Sequence, residues 1–219
     1  MKSIYEFLLK NKTVASTQGM GYVDLGLPSG LLWARCNIGA YEPYEYGDYF
    51  MWGSTEPDTD KRCDWKNCPF NNDNDNDNDG YDFNKDYFKS IKDKVCPNGI
   101  LAPEYDPATV ILGDDWRLPT ADEFKELIDN TEQEWVKNYQ DSKINGILFQ
   151  TNDAELFIPA SGFRCWSSFY DRGRYTYLWS SLFDTSSPNC AMAIYLDNSY
   201  RYMCSGGRPN GYCLRGVKK

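Results

Sequence analysis

The 219-residue chain contains no histidine, so it lacks the commonest metal ligand and the side chain that most often serves as a general base near neutral pH. Hydrolases built on a Ser-His-Asp or Cys-His pair are excluded on that ground. None of the eight cysteines, Cys36, Cys63, Cys68, Cys96, Cys165, Cys190, Cys204 and Cys213, forms a Cys-x-x-Cys pair. The spacing of Cys36, Cys63, Cys68 and Cys96 is not that of a zinc knuckle. No apolar run approaches the ~20 residues of a membrane span. Near the start, the short stretch Ile4–Leu9 between Lys2 and Lys10 is too brief for a signal-peptide core. The expectation is a chain not secreted by the standard route, with mostly free thiols. A net charge of -9 argues against a nucleic-acid partner held by bulk charge.

A more local absence divides the chain. Lys, Glu and Gln total 26 in residues 1–155 and none in residues 156–217. Charge divides at nearly the same place: residues 1–155 hold 15 basic and 29 acidic residues, whereas residues 156–219 hold 8 and 3. The Lys/Glu/Gln-free segment carries nine Ser, seven Tyr, six Arg, six Gly and four Cys. Tyr, Ser, Gly and Arg dominate antibody-like recognition surfaces, because Tyr supplies large amphipathic area at low rotamer entropy while Ser and Gly fit varied neighbours. An ordinary Tyr-rich sheet surface would have the same composition.

What is present reads as one globular domain, with 41% hydrophobic residues and a mean hydropathy of -0.65. Ser3 and Glu6 have capping-box spacing ahead of Ile4, Phe7 and Leu8, which predicts a short helix to about Asn11. Residues 22–53 alternate turn signals with the short runs Leu31–Trp33 and Tyr49–Trp52, the pattern of short strands and loops. The stretch Asn71–Gly80 is low in complexity. Asp75, Asp77, Asp79 and Gly80 begin a calcium-loop pattern, but Asp82 and Asp86 then stand where an aliphatic residue and a Glu belong. It reads chiefly as a solvated loop. Thr120 and Glu123 form a second capping box, and Phe124, Leu127 and Ile128 make one apolar stripe, predicting a helix to about Asp129. Strands are expected over Ile144–Phe149, Glu155–Ile158, Tyr177–Ser180 and Ala191–Leu196, with a turn at Pro159–Gly162. In the last strand Met192, Ile194 and Leu196 point one way and Ala193, Tyr195 and Asp197 the other, so one face packs and the other is free to bind.

Six blocks then converge: DLGLPSGLLWA at Asp24–Ala34, GDYFMWGSTEP at Gly47–Pro57, WRLPTADE at Trp116–Glu123, FIPASGFR at Phe157–Arg164, LWSS at Leu178–Ser181 and GYCLRGV at Gly211–Val217. Together, over roughly residues 20–217, they resemble the Fibrobacter major paralogous domain group. That group is similar to a branch of the C-type lectin fold that includes formylglycine-generating enzymes and the variable proteins of diversity-generating retroelements, such as the phage major tropism determinant. The resemblance implies an α+β, C-type lectin-like fold with small antiparallel sheets, one or two helices and much loop. Residues 1–19 would be an N-terminal arm or short helix, and residues 20–219 the lectin-like domain, with a variable region at about 165–211.

The resemblance also implies a function. In such systems a reverse transcriptase miscopies template adenines, and Asn codons diversify to residue types that exclude Lys, Glu, Gln, Trp and Met, which would leave the gap seen here. Trp166, Trp179, Arg164, Ser180, Ser181 and Arg215 would then be fixed scaffold. Variable positions would comprise Ala193, Tyr195, Asp197, Ser199, Arg201, Tyr202, Cys204, Ser205, Gly206, Gly207 and Asn210. An upstream patch would comprise Phe169, Tyr170, Arg172, Arg174 and Tyr175, with Phe183, Asp184 and Asn189 beside it. Tyr177 and Tyr212 read as core or rim, and Arg208 as a framework arginine or a contact. The expected partner is a cell-surface protein or glycan, met by a phage virion component or a bacterial protein that could assemble as a homo-oligomer. No catalysis, cofactor or resident metal is expected. Two alternatives remain. A formylglycine-type copper oxidase would need Cys204 and Cys213 as its pair, although the block that precedes that pair in the family is missing. A calcium-dependent sugar lectin would need a Glu-Pro-Asn triplet, and Glu56-Pro57 is followed by Asp58.

Overall fold

The computed structural model describes residues 21–58, 62–70 and 85–219. The helix expected near Ser3 and the Asn/Asp-rich stretch 71–80 lie outside them. The described chain is α+β, with small antiparallel sheets, three α-helices and much loop. In chain order the elements are β1 (Tyr22–Asp24), β2 (Leu32–Ala34), α1 (Lys85–Val95), α2 (Pro107–Leu112), α3 (Ala121–Asp129), β3 (Glu132–Val136), β4 (Gly146–Gln150), β5 (Glu155–Pro159), β6 (Phe163–Cys165), β7 (Ser168–Tyr170), β8 (Tyr175–Phe183), β9 (Cys190–Asp197), β10 (Arg201–Gly207) and β11 (Val217–Lys218). They form sheets ordered β1-β2-β11, β3-β4-β5 and β10-β9-β8, plus the hairpin β6-β7. Among the described residues no helix is long and apolar enough to cross a membrane.

Local chemistry explains where α2 and α3 begin. Thr120 Oγ1 accepts the Glu123 N–H at 3.3 Å and the Glu123 carboxylate accepts the Thr120 N–H at 2.8 Å, the reciprocal capping box read from the sequence. Arg117 clamps that carboxylate from outside, at 2.7 and 2.5 Å. Phe124 and Leu127 are buried, and Phe124 meets Trp33 with ring centroids 5.5 Å apart. Helix α2 has no apolar periodicity in the sequence to mark it. Its cap is Asp106, whose Oδ1 accepts the Ala108 and Thr109 N–H groups while Oδ2 takes the Leu118 N–H at 2.9 Å, so a six-residue helix is stabilised by a distant segment. Strand β3 and helix α1 likewise carry no clear local signal in the sequence. The run Tyr49–Trp52, expected as a strand, forms only an isolated bridge between Phe50 and Tyr212.

Two large hydrophobic clusters and two small ones fill the interior among the described residues. One large cluster joins Trp33, Phe124, Ile147, Phe149, Leu156 and Ile158 to Leu178, Ile194 and Leu196 of the β8-β9 sheet. The other large cluster gathers Phe50, Trp52, Phe88 and Trp116 around Trp179, Ala191, Ala193 and Tyr212. The two indoles are also pinned by hydrogen bonds, Trp179 Nε1 to Phe50 O at 2.8 Å and Trp52 Nε1 to Ser180 O at 3.0 Å. Arg215, fully buried, donates to Ala34 O, Arg35 O, Asn37 Oδ1 and Phe157 O. It ties the edge of one sheet to another through groups that could not otherwise be satisfied away from water. At the expected Pro159–Gly162 turn, Gly162 has φ +62°, and a Cβ there would lie 1.9 Å from Tyr170 O. Only glycine permits the close return that brings the β6-β7 hairpin beside β8.

Candidate ligand-binding surface

Register assigns the side chains of the β8-β9-β10 sheet to two faces. Thr176 lies opposite Leu196 and Leu178 opposite Ile194, and Met203 lies opposite Ile194 across β10; this is the core face. Tyr175, Tyr177 and Trp179 on β8, Ala193, Tyr195 and Asp197 on β9, and Tyr202 and Cys204 on β10 share the other face. Tyr177, Tyr195 and Tyr202 stand directly across successive strands, with ring centroids 5.2 and 5.0 Å apart. Tyr175 meets Tyr195 at 5.3 Å. Below them Tyr177 stacks on Tyr212 at 4.6 Å, and Tyr212 on Trp179 at 4.1 Å. The result is a continuous aromatic ladder that begins in the core and ends in solvent, where Tyr202 is 50% exposed. Each such contact contributes ~0.5–1.5 kcal/mol beyond area burial.

Two carboxylates set the orientation of the outer rings. Tyr195 donates its hydroxyl to Asp197 Oδ2 at 2.6 Å, and Tyr175 donates to Asp171. Burial first, and then these carboxylate partners, push both phenols well above the ordinary tyrosine value, so they remain protonated donors. Asp197 also closes the β9-β10 turn, its Oδ1 accepting the Ser199 and Tyr200 N–H groups at 2.6 Å each. Burial acts to raise this carboxyl, but the hydrogen bonds from Tyr195, Ser199 and Tyr200 outweigh it and hold the group below its usual range.

The β6-β7 hairpin extends the surface. Phe163 stacks on Tyr170 at 5.2 Å and meets Tyr177 edge-on at 5.9 Å, bridging hairpin and sheet. Phe169 and Tyr170 are exposed. The Arg172 guanidinium lies 3.6 Å from the Phe169 ring centroid and donates Nε to the Tyr49 hydroxyl at 2.9 Å. Arg174 pairs with Asp171 at 2.9 Å. Contacts therefore link the expected residues Tyr170, Arg174, Tyr175, Tyr195 and Tyr202, whereas Phe169, which alternates with Tyr170 along β7, packs with Arg172 against Tyr49 on the other face of the hairpin. Ser199 is exposed at the adjoining turn, Asn189, Gly207 and Asn210 are half-buried, and Ser205 is exposed but lies opposite Met192, on the other face from Tyr202.

Several positions expected on the free surface are not free. Ala193 is 0% exposed, because its face of the strand is covered by Trp179 and Tyr212. Gly206 is buried for the same reason: a Cβ there would meet Tyr212 Oη at 2.8 Å and Trp179 Cη2 at 3.1 Å. Cys204 packs against that cluster, and burial pushes its thiol up to about 11. Phe183 turns inward to Phe88 at 5.6 Å. Asp184 is buried, with its carboxylate committed to Ser186 and to Ser205 Oγ at 2.6 Å. Arg201 lies opposite Leu196, on the other face from Tyr202. In the reverse sense, Trp166, expected as scaffold, is 53% exposed under the Arg62 guanidinium. Tyr200 was not anticipated and is 65% exposed at the hairpin tip; its only sequence signal was the turn former Asp197-Asn198-Ser199. Tyr212, Arg208 and Arg215 are buried framework.

Cys213 packs in the cluster that contains Trp33 and Cys204 against the one that contains Trp52, with burial pushing the Cys213 thiol up to about 12. All eight cysteines are free, and among the described residues no three His, Cys, Asp or Glu side chains cluster to hold a metal. An open depression of about 550 Å³ lies elsewhere, between residues 39–48 and Ser142 and Ile144. No family model, curated protein or solved structure matches the chain.

Proposed function

We propose that this protein is a ligand-binding, non-enzymatic variable protein of a diversity-generating retroelement, built on a C-type lectin-like domain, and that the aromatic face of β8-β10 with the β6-β7 hairpin is its recognition surface. The observation that carries the reading is a coincidence of two independent boundaries. The segment devoid of Lys, Glu and Gln is the one whose Tyr, Phe, Ser and Arg side chains converge on this surface, while its buried members, Trp179, Ser180, Ser181 and Arg215, are the ones that hold it to the rest of the fold. Rigid rings fixed by core stacking and carboxylates lose little entropy on contact, so a protein or glycan on a cell surface can be held by aromatic area and hydroxyl hydrogen bonds. The setting that fits is a tail-associated phage component or a bacterial protein.

Deep sequencing of the coding region across a population of its natural source tests the proposal. The expected result is substitution concentrated at Phe169, Tyr170, Tyr175, Tyr195, Ser199 and Tyr202, with Trp179, Ser180, Ser181 and Arg215 spared. A uniform segment, or substitutions spread evenly along the chain, would overturn the retroelement assignment.

A further inference from the structure

Strand β10 is one edge of its sheet. At the opposite edge, β8 is bridged through Thr176 to Gly162, through Leu178 to Cys213 and through Leu182 to Ile100. No described residue bridges the outer side of β10, and no residue from 201 to 207 is among those with further unnamed partners. Seven residues long, it has none of the usual protections of an exposed edge. It contains no lysine and no proline, its one charge is Arg201 at the first position, and the irregularity of the sheet lies between β8 and β9.

The turn settles which backbone groups point outward. The Asp197 N–H donates to Tyr200 O at 2.9 Å, making that pair hydrogen-bonded, and the antiparallel ladder alternates from there. Tyr202, Cys204 and Gly206 therefore bond to β9. The N–H and C=O groups of Arg201, Met203 and Ser205 face outward without partners, as does the Gly207 N–H, whereas the Gly207 C=O accepts the Asn210 N–H at 2.9 Å.

We infer that β10 pairs antiparallel with β10 of a second copy of this chain, about a two-fold axis at Cys204. The side chains of Arg-Tyr-Met-Cys-Ser-Gly-Gly are self-complementary in this register. Tyr202 lies opposite Gly206 of the second copy, so the large side chain meets a residue that adds no bulk of its own. Met203 lies opposite Ser205, and Arg201 opposite Gly207, so the only charge of the strand never meets its like. The register pairs the outward groups of Met203 and Ser205 and the Gly207 N–H with about six hydrogen bonds. It also joins two aromatic faces side by side in one six-stranded sheet, which doubles the recognition surface whatever its ligand.

Sedimentation velocity of the full chain across a range of concentrations tests this. The expected species has twice the 25.3 kDa chain mass. Ser205→Pro removes an outward N–H that bonds to nothing within the chain, and Ser205→Lys sets a charge at the edge; each is expected to weaken dimerisation at least ~10-fold. Ser205→Ala loses the same hydrogen bond to Asp184 but keeps the N–H and stays dimeric. Circular dichroism and melting of each variant establish that the fold is retained. A wild-type chain monomeric throughout, a dimer indifferent to both Ser205→Pro and Ser205→Lys, or dissociation by Ser205→Ala would each overturn the inference. Because no ligand enters the measurement, its failure leaves the recognition surface unaffected.

Discussion

Asp197 is the residue at which surface position and structural role are hardest to separate. The strand alternation places it on the free face, and a freely variable position there would tolerate substitution. Its carboxylate instead accepts three hydrogen bonds, from Tyr195 and from the Ser199 and Tyr200 N–H groups. We expect Asp197→Ala to cost ~1–2 kcal/mol in chemical denaturation, whereas Tyr202→Ala, at the solvent end of the ladder, should stay within ~0.5 kcal/mol of wild type. Equal losses at both sites would mean that the ladder is one structural unit and not scaffold plus display. Further inward, Trp179→Ala should cost ~3–5 kcal/mol through the cavity and the lost bond to Phe50 O. Gly206→Ala should cost ~1–3 kcal/mol by forcing Tyr212 and Trp179 off their stack. The expectation that Ala193 and Gly206 were display positions failed because a period of two identifies a face but not what lies on it.

At the scale of elements, α2 exists because Asp106 caps it and reaches across to Leu118. Burial pushes this carboxyl up to about 6, against the opposing effect of its three backbone donors. In the unfolded chain it titrates near 3.8, so the folded state binds the extra proton between those values. Stability from this group is complete below the unfolded value and falls by up to ~3 kcal/mol as pH rises through about 6. Asp184 and Asp197 act oppositely, since both are held low: their contribution is present above the ordinary carboxylate range and is lost as pH drops through their lowered values. Denaturation curves from pH 4 to 7 should therefore show a decline that Asp106→Asn removes, and a carboxyl NMR titration of Asp106 should centre near 6. A midpoint in the ordinary aspartate range would show that the three N–H donors outweigh desolvation. Helix α3 is a simpler case, where Thr120→Ala should cost ~1 kcal/mol with loss of its reciprocal cap.

Across the whole molecule, the core and the proposed recognition surface meet along Trp179 and Tyr212, while Arg215 joins residues 34–37 to Phe157 deeper inside. Arg215 serves four carbonyl and amide oxygens from two segments of the chain, and its burial lowers its proton affinity toward about 10 without removing its charge at neutral pH. Arg215→Met should be among the most damaging substitutions, ~3–5 kcal/mol, because it orphans those buried acceptors. An Arg215→Met protein that melts like wild type would show that water can enter and replace the guanidinium. Tyr195→Ala, by contrast, should leave the fold largely intact while reducing capture of cells from the natural source, the measurement that separates display from support.

Composition by itself determined where the chain changes character, since the loss of Lys, Glu and Gln needs no coordinates to be seen. The capping box at Thr120 and Glu123 and the alternation of β9 were equally legible, because each is a rule about neighbours within a few residues. Helix α2, the inward turn of Phe183, the exposure of Trp166 and the burial of Ala193 and Gly206 were decided only by tertiary structure. The covering groups, Leu118, Phe88, Tyr212 and Trp179, come from other elements of the chain. Local pattern assigns a side chain to a face of its element, but exposure depends on whether another segment packs over that face, and that is settled by the energy of the assembled core.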